Sequence, residues 1–443
     1  MEAKQGSDRL GLRDGLIVGV TLFSMFFGAG NLILAPRLGV QAGTDTPLAL
    51  LGFLVSAVGL PVLTIAAVAM AGTARDLGGR IHPKFAEIFM ALIYLAIGPC
   101  LAIPRTASTS FAMFDPLMPK LDSTALFLAQ LGFTLVFFLV AYLLAMHPNR
   151  LTELMGKISG PALIVLIVVV VGVTLIDPPA STSTTATAPY DVAPVLAGFT
   201  TGYQTMDMLA GLAFGLVISM NIRELGLSEP KFVAKQVMRS GVVAGVLMGV
   251  IYLGFGIVGM IVGPVLGGTS NGADVISAAA NLHFGVVGTA IVAAIFGLAC
   301  LNVCIGLICS IGEYFFQTYG KMSYKQWALL IAVVSAIFAN FGLATILGYS
   351  VPVLSALYPV AIVLVLMGLL PTSAKHSMAW KAAVTVCTVV SVIIAFRDGF
   401  VPQAWLPFDL LPLAAMGMAW VLPTLLGYAV GFVAEFLQQR QLA

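Results

Sequence analysis

The sequence predicts an all-α polytopic membrane protein of twelve transmembrane helices, built as a five-plus-five inverted repeat with discontinuous helices 1 and 6, plus helices 11 and 12. Three observations carry this. Hydrophobic residues make up 60% of the 443 and charged residues only 9%, against roughly 45–50% and about 25% in a soluble domain. The apolar runs have the length of a bilayer crossing. Two of these runs, five apart in order, are interrupted near the middle by glycine and polar residues.

At roughly 20–25 residues per crossing, the spans are 14–38, 46–71, 86–111, 123–146, 158–176, 195–220, 240–264, 284–318, 327–346, 347–370, 379–396 and 408–436. Little more than Gly348 separates spans 9 and 10. The whole chain, 1–443, reads as a single transmembrane domain: 14–176 is the first repeat, 195–370 the second, and 379–436 the two additional helices, scaffold or oligomer contacts. Lys and Arg are retained on the cytoplasmic side. With the N-terminus inside, that side holds all of the 21 cationic residues except Arg37, Arg105, Lys120 and Arg397. One missed span would swap every later loop, so the asymmetry supports an even count, both termini cytoplasmic, and insertion across the bilayer of the cell membrane. The net charge of +2 follows from this bias and implies no nucleic-acid partner. The first apolar run is too long for a cleavable signal peptide. All five cysteines fall inside spans, so no structural disulfide is expected, and Cys300 with Cys304 reads as packing rather than a metal site.

Span 1 is the element around which the others are arranged. Thr21 to Phe27 approaches as an apolar helix, Leu32 to Ala35 leaves as another, and Phe26-Phe27-Gly28-Ala29-Gly30-Asn31 lies between. In hydrocarbon an unwound turn survives only where its freed N–H and C=O groups face protein, water or a ligand. The alternative is a kink or a close helix crossing, since Gly-x-Gly packs neighbours tightly. In span 3, Arg105 follows two prolines. It either snorkels to the outer surface or makes a gating or structural ion pair in the outer vestibule. Asp177 to Pro194 has no Lys or Arg and reads as a flexible external loop.

Span 6 repeats the opening feature in Phe199-Thr200-Thr201-Gly202-Tyr203-Gln204-Thr205-Met206-Asp207. Because five spans separate the two breaks, the repeats cross the membrane in opposite senses, the arrangement that holds a ligand between broken helices. Asp207 is a cation ligand, a proton carrier, a partner for a substrate amine, or a cap on the inner half of span 6. Asn302 in span 8 either offers an oxygen to a cation or bonds a neighbouring helix. Glu313 is expected near the interface, within reach of Lys321 or Lys325.

Leu22-Phe23-Ser24-Met25-Phe26-Phe27-Gly28-Ala29-Gly30-Asn31-Leu32, Gly98-Pro99 through Ile103-Pro104-Arg105-Thr106-Ala107, and Gly202-Tyr203-Gln204-Thr205-Met206-Asp207 resemble the bacterial branched-chain amino acid:cation symporters, the LIVCS carriers, of the amino acid–polyamine–cation superfamily. The resemblance covers nearly the whole chain. It implies a LeuT-like fold and a non-enzymatic carrier, without a cofactor, that imports leucine, isoleucine and valine by Na+ symport. Alternating access is implied too, with spans 1, 2, 6 and 7 rocking against 3, 4, 8 and 9.

By the same resemblance the amides of Ala29 and Gly30, in the segment Phe27 to Asn31, hold the substrate carboxylate. Backbone from Phe199 through Thr200, Thr201 and Gly202 to Tyr203 meets its amine, and apolar side chains of spans 1, 3, 6 and 8 hold its aliphatic part. One cation is implied at the carbonyls of Ser24 and Phe27, the backbone of Ala299 and the side chains of Asn302 and Val303. Phe26 with Asn31 is the implied place of a second. Asp207 and Arg105 are left for coupling or gating.

The wider fold usually carries hydroxyls at the two span 8 side-chain positions. Asn302 keeps an oxygen and Val303 does not, so an H+-coupled carrier of other neutral amino acids stands as the alternative. Span 3 also departs from related carriers, with no acid after its Pro-Arg-Thr segment until Asp115. A channel is a more distant rival, because filters commonly assemble from several copies of a short unit. An enzyme is disfavoured by the lack of a His-Glu-x-x-His or Gly-x-Ser-x-Gly motif and by the scatter of the four histidines.

Overall fold

The computed structural model describes residues 10–119, 121–180, 184–266, 271–370, 375–401 and 405–442. Lys4, Arg9, Lys120 and Ser181-Thr182-Ser183 lie outside these. Among the described residues, nine helices are long and apolar enough to cross a membrane, and the bent pair Pro194–Tyr203 and Asp207–Glu224 makes a tenth. The expected order of spans is kept, but length and hydropathy alone do not reach twelve. Ala29–Ala71 runs as one stretch of 43 residues, bent only through the turn Gly43–Asp45, and Tyr324–Ala339 has 16 residues. The expected junction at Gly348 is also displaced. The chain breaks at Gly342, whose φ of +88° favours glycine, and Gly348 lies inside the helix Leu343–Leu369.

Spans 1, 2, 6 and 7 pack backbone against backbone. A Cβ on Gly39 would land less than 3.0 Å from the Gly256 carbonyl oxygen, one on Gly259 as close to that of Pro36, one on Gly52 to that of Val195, and one on Gly198 to that of Ala49. Only glycine allows such approach, and small residues at crossings are how helices associate where lipid is as apolar as their side chains. Span 8, Val286–Tyr319, packs on Ala102–Phe114, Ser123–Ala145 and Tyr324–Ala339, the helices of spans 3, 4 and 9, and also meets spans 1 and 6 along a face of side chains. Span 11, Ser377–Phe400, packs on span 10 and on span 12.

The second group is tied by hydroxyls to carbonyls at helix ends, which lack partners within their own helix. Ser108 Oγ donates to the Ala339 carbonyl at 2.8 Å, and Tyr324 donates to that of Ala145 at 2.5 Å. Gln130 also reaches the Ala339 carbonyl, so Ser108→Ala leaves it one donor. The expected cost is about 1 kcal/mol, read as a small drop in the thermal unfolding midpoint of detergent-solubilised protein. A collapse of the fold would show that Ser108 has a larger role.

Two expectations are corrected outside the core. The described part of the 177–194 loop is docked rather than loose. The Thr44 amide donates to the Thr184 carbonyl at 3.1 Å, the Thr187 amide donates to that of Gln41 at 2.9 Å, and the buried Tyr190 hydroxyl pairs with Thr201 Oγ1 at 2.8 Å. Backbone groups supplied most of these partners, which composition does not reveal. Glu313 is buried and accepts from Gln317 one turn on at 2.7 Å. Among the described residues it has no ion pair with Lys321 or Lys325.

Candidate functional site

The first break is a two-residue interruption. Leu12–Phe26 ends, Phe27 and Gly28 are extended, and Ala29–Ala42 begins. Gly28 is required because span 8 crosses it: a Cβ there would sit 2.7 Å from Val303 Cγ2. The Gly28 amide, which a continuous helix would give to the Ser24 carbonyl, donates instead to Asn31 Oδ1 at 3.1 Å. The carbonyls from Ser24 to Phe27 thereby lose their helical partners. The amides of Ala29 and Gly30, in the first turn of the second half, have none to lose.

The second break takes up only the end of the stretch 199–207 in which the sequence suggests it. Pro194–Tyr203 and Asp207–Glu224 meet at 45°, and the irregular residues are Gln204, Thr205 and Met206, the last with φ of +67°. Phe199 to Tyr203, expected to be unwound and to meet an amine, are helical. The carbonyls of Thr201, Gly202 and Tyr203 accept from the amides of Gln204, Thr205 and Met206 at 3.1 to 3.2 Å. The threonines explain the error. Thr200 and Thr201 donate to carbonyls one turn back, at Leu196 and Ala197, so hydroxyls that look costly in lipid are satisfied without opening the helix.

Asp207 begins the inner half of span 6, and its carboxylate joins the two breaks. Oδ2 accepts from Asn31 Nδ2 at 2.6 Å and from the Tyr252 hydroxyl at 3.1 Å, while Asn31 also bonds Tyr252. All three are buried. The ring of Tyr252, in span 7, is fixed edge-on by Phe53 at 5.0 Å and lies 5.8 Å from that of Phe27. The Phe27 side chain therefore belongs to this buttress.

Between the breaks lies a cavity of about 20 Å³, lined from four spans by residues that include Met25, Gly30, Ile97, Arg105, Asp207 and Val303. That is room for about one water, so a larger ligand enters only if the seam between the spans opens. The apolar part of the lining comes from spans 1, 3, 6 and 8, the four expected to hold an aliphatic chain. Arg105 is the main correction. It neither snorkels nor pairs with an acid among the described residues: its side chain is buried, and it donates to the Gln204 carbonyl at 3.4 Å. Span 3 is itself interrupted, through a π turn at Ala96–Cys100 with non-helical backbone at Gly98. This kink delivers the arginine to the cavity.

The implied cation ligands are only partly assembled. The Ser24 hydroxyl donates to the Val20 carbonyl at 2.9 Å. Asn302 Oδ1 accepts from Ser159 of span 5 at 2.8 Å, the interhelical alternative. Val303 covers Gly28 with its side chain, and Ala299 is buried. Asn302 Nδ2, however, is buried with no partner. Turning the amide over would let Nδ2 donate to Ser159 and put Oδ1 where an orphan donor now sits.

Residues 12–438 match the family model described as branched-chain amino acid transport protein. The chain belongs to that family. Similar relatives include the branched-chain amino acid permease BraB of Bacillus subtilis (strain 168), 35% identical over 432 residues and 96% of each chain. The branched-chain amino acid transport system 3 carrier protein of Pseudomonas aeruginosa is 37% identical over 418 residues, covering 93% of this chain and 94% of its own. Among solved structures, MhsT in complex with L-phenylalanine aligns with a TM-score of 0.57 over 89% of this chain and 100% of its own, at 15% identity. Mhp1, a nucleobase-cation-symport-1 family transporter closed around bromovinylhydantoin, aligns with 0.59 over 96% and 93%, at 13% identity. These two likenesses concern the fold alone. This family member is a multi-pass membrane transporter, and its relatives carry the names of permeases and carriers rather than enzymes.

Three residues at the transporter's breaks escaped the sequence reading. Tyr252 is the lone hydroxyl on the middle of a Gly- and Val-rich helix, which was a usable signal. Ser159 sits just before Gly160-Pro161 in a span that looked featureless. Gln204 contributes through its backbone carbonyl, which no side-chain pattern announces.

Proposed function

We propose that the protein imports leucine, isoleucine and valine across the cell membrane by symport with Na+, through alternating access. The observation that carries this is the joining of both breaks, through Asn31, Asp207 and Tyr252, at one cavity that Arg105 and apolar side chains of spans 1, 3, 6 and 8 also line. A zwitterion cannot enter hydrocarbon with its charges unmet. Here the open helix N-terminus at Ala29 and Gly30 suits a carboxylate, and the Asp207 carboxylate suits an ammonium. Released carbonyls at Ser24 and Phe27, with Asn302, suit Na+. A cation and a substrate sharing one unwound segment favour each other's binding, which is coupling. The backbone-locked group of spans 1, 2, 6 and 7 then moves against spans 3, 4, 8 and 9 along the side-chain seam at Gly28 and Gly30. With both termini in the cytoplasm, the turn Gly43–Asp45 faces outward.

A specific observation favours H+ as the second reading: Asp207 is a buried carboxylate whose bonded side-chain partners, Asn31 and Tyr252, are both neutral. Uptake of labelled leucine, isoleucine and valine into proteoliposomes, with Na+ and H+ gradients imposed separately, separates the two. Accumulation with Na+ alone is the expected result, and accumulation with neither would end the symport reading. Gly30→Trp fills the cavity beside Arg105 and is expected to abolish uptake while the protein still inserts. Ser159→Ala frees Asn302 from its partner and is expected to shift the Na+ concentration for half-maximal uptake about threefold or more. An unchanged Na+ dependence would place the ion elsewhere.

A further inference from the structure

We infer that the Arg105 guanidinium is the receptor for the substrate carboxylate, an assignment that rests on the amino acid transport reading above. A guanidinium carries five N–H donors in a flat fork and cannot be neutralised by losing a proton. Arg105 as a whole is 8% exposed. Among the described residues its only hydrogen bond is the 3.4 Å contact to the Gln204 carbonyl, at the long end for such a bond, and no carboxylate lies within ion-pair distance. The transporter thus holds a buried charge with most of its donors unanswered, a costly arrangement unless something else answers them.

The direction of those donors identifies the partner. A Cβ added to Gly30 would lie 2.7 Å from Arg105 Nη2 and 3.4 Å from the Gln204 carbonyl oxygen, so the guanidinium stands directly over the first turn of Ala29–Ala42. That turn presents amides without helical acceptors and the positive end of the helix dipole. Two independent sources of positive potential therefore converge on one wall of the cavity. Asp207 faces the same cavity, but its carboxylate is already engaged by Asn31 and Tyr252. An incoming planar anion with two oxygens meets the fork in the bidentate geometry that makes arginine–carboxylate pairs strong. The carboxylate of an α-amino acid fits, with its side chain directed to the apolar wall at Met25, Ile97 and Val303. Arg105 would then give up the Gln204 carbonyl for the substrate, so that binding loosens one tie between span 3 and the second break.

The test is equilibrium binding of labelled leucine to the purified, detergent-solubilised transporter, with leucinamide, whose carboxylate is replaced by a neutral amide, as the competing ligand. Wild-type protein is expected to prefer leucine by about 100-fold, the worth of two charge-assisted hydrogen bonds. Arg105→Gln is expected to weaken leucine by about that factor and leucinamide by less than about threefold, so that the preference collapses. Arg105→Lys, which keeps the charge but loses the fork, is expected to fall between them, and it carries the same comparison if the glutamine variant does not elute as a single species. Equal loss of both ligands would make Arg105 a structural residue, and an unchanged preference would place the carboxylate elsewhere; either overturns the assignment while the transport reading stands. Wild-type protein that ignores leucine would remove the transport reading and this assignment together.

Discussion

Asp207→Asn is expected to reduce leucine uptake at least 100-fold while the protein still inserts and elutes as a single species. The carboxylate is the common acceptor for Asn31 Nδ2 and the Tyr252 hydroxyl, and each bond to a charged group is worth about 1.5–3 kcal/mol. An amide of the same shape can accept only weakly and must find a place for its own N–H groups. The link between the two breaks is therefore loosened at the proposed substrate and cation site, and the charge proposed to meet an ammonium is gone. Asp207→Leu goes further, leaving two buried donors with no acceptor, and is expected to lower stability as well. Proteoliposome uptake, with size-exclusion chromatography as the check on folding, reads both effects. Uptake by Asp207→Asn near the wild-type rate would remove this carboxylate from the mechanism.

The second large effect concerns assembly. Gly39→Leu puts a branched side chain where even a Cβ would overlap the Gly256 carbonyl and press on the Met260 amide. A flexible neighbour could swing away, but the hydrogen-bonded backbone of the last turns of Pro230–Val262 cannot, so the second half of span 1 must separate from span 7. The expected cost is at least about 3 kcal/mol, seen as loss of monodisperse protein and of uptake. Gly249→Leu is the matched control, in the same helix of span 7 with nothing within 4 Å of its Cβ position, and it is expected to behave as wild type. Equal behaviour of the two variants would mean that the crossing of spans 1 and 7 is not the tight one described.

The chemistry of lipid made much of this protein legible before any coordinates. Long apolar runs have few uses other than crossing a bilayer, and Gly28-Ala29-Gly30-Asn31 within one of them marks backbone that is unwound for a purpose. The first break follows from local residues, because a missing helical hydrogen bond must be replaced nearby and Asn31 lies three residues from the amide it captures. What sequence could not place was every group whose role depends on a partner far along the chain. Thr200 and Thr201 looked like a break and proved to be helix, since their hydroxyls found carbonyls one turn back. Arg105 looked shallow on a straight helix, and only the kink at Gly98 and the approach of Gly30 bring it to the cavity. Tyr252 and Ser159 matter because spans 7 and 5 happen to lie against Asn31 and Asn302. The sequence by itself determined which backbone had to open. Tertiary packing alone decided which side chains answer it, because a buried polar group is satisfied by whatever lies within about 3 Å in space, and that distance is set by helix crossings that no local pattern records.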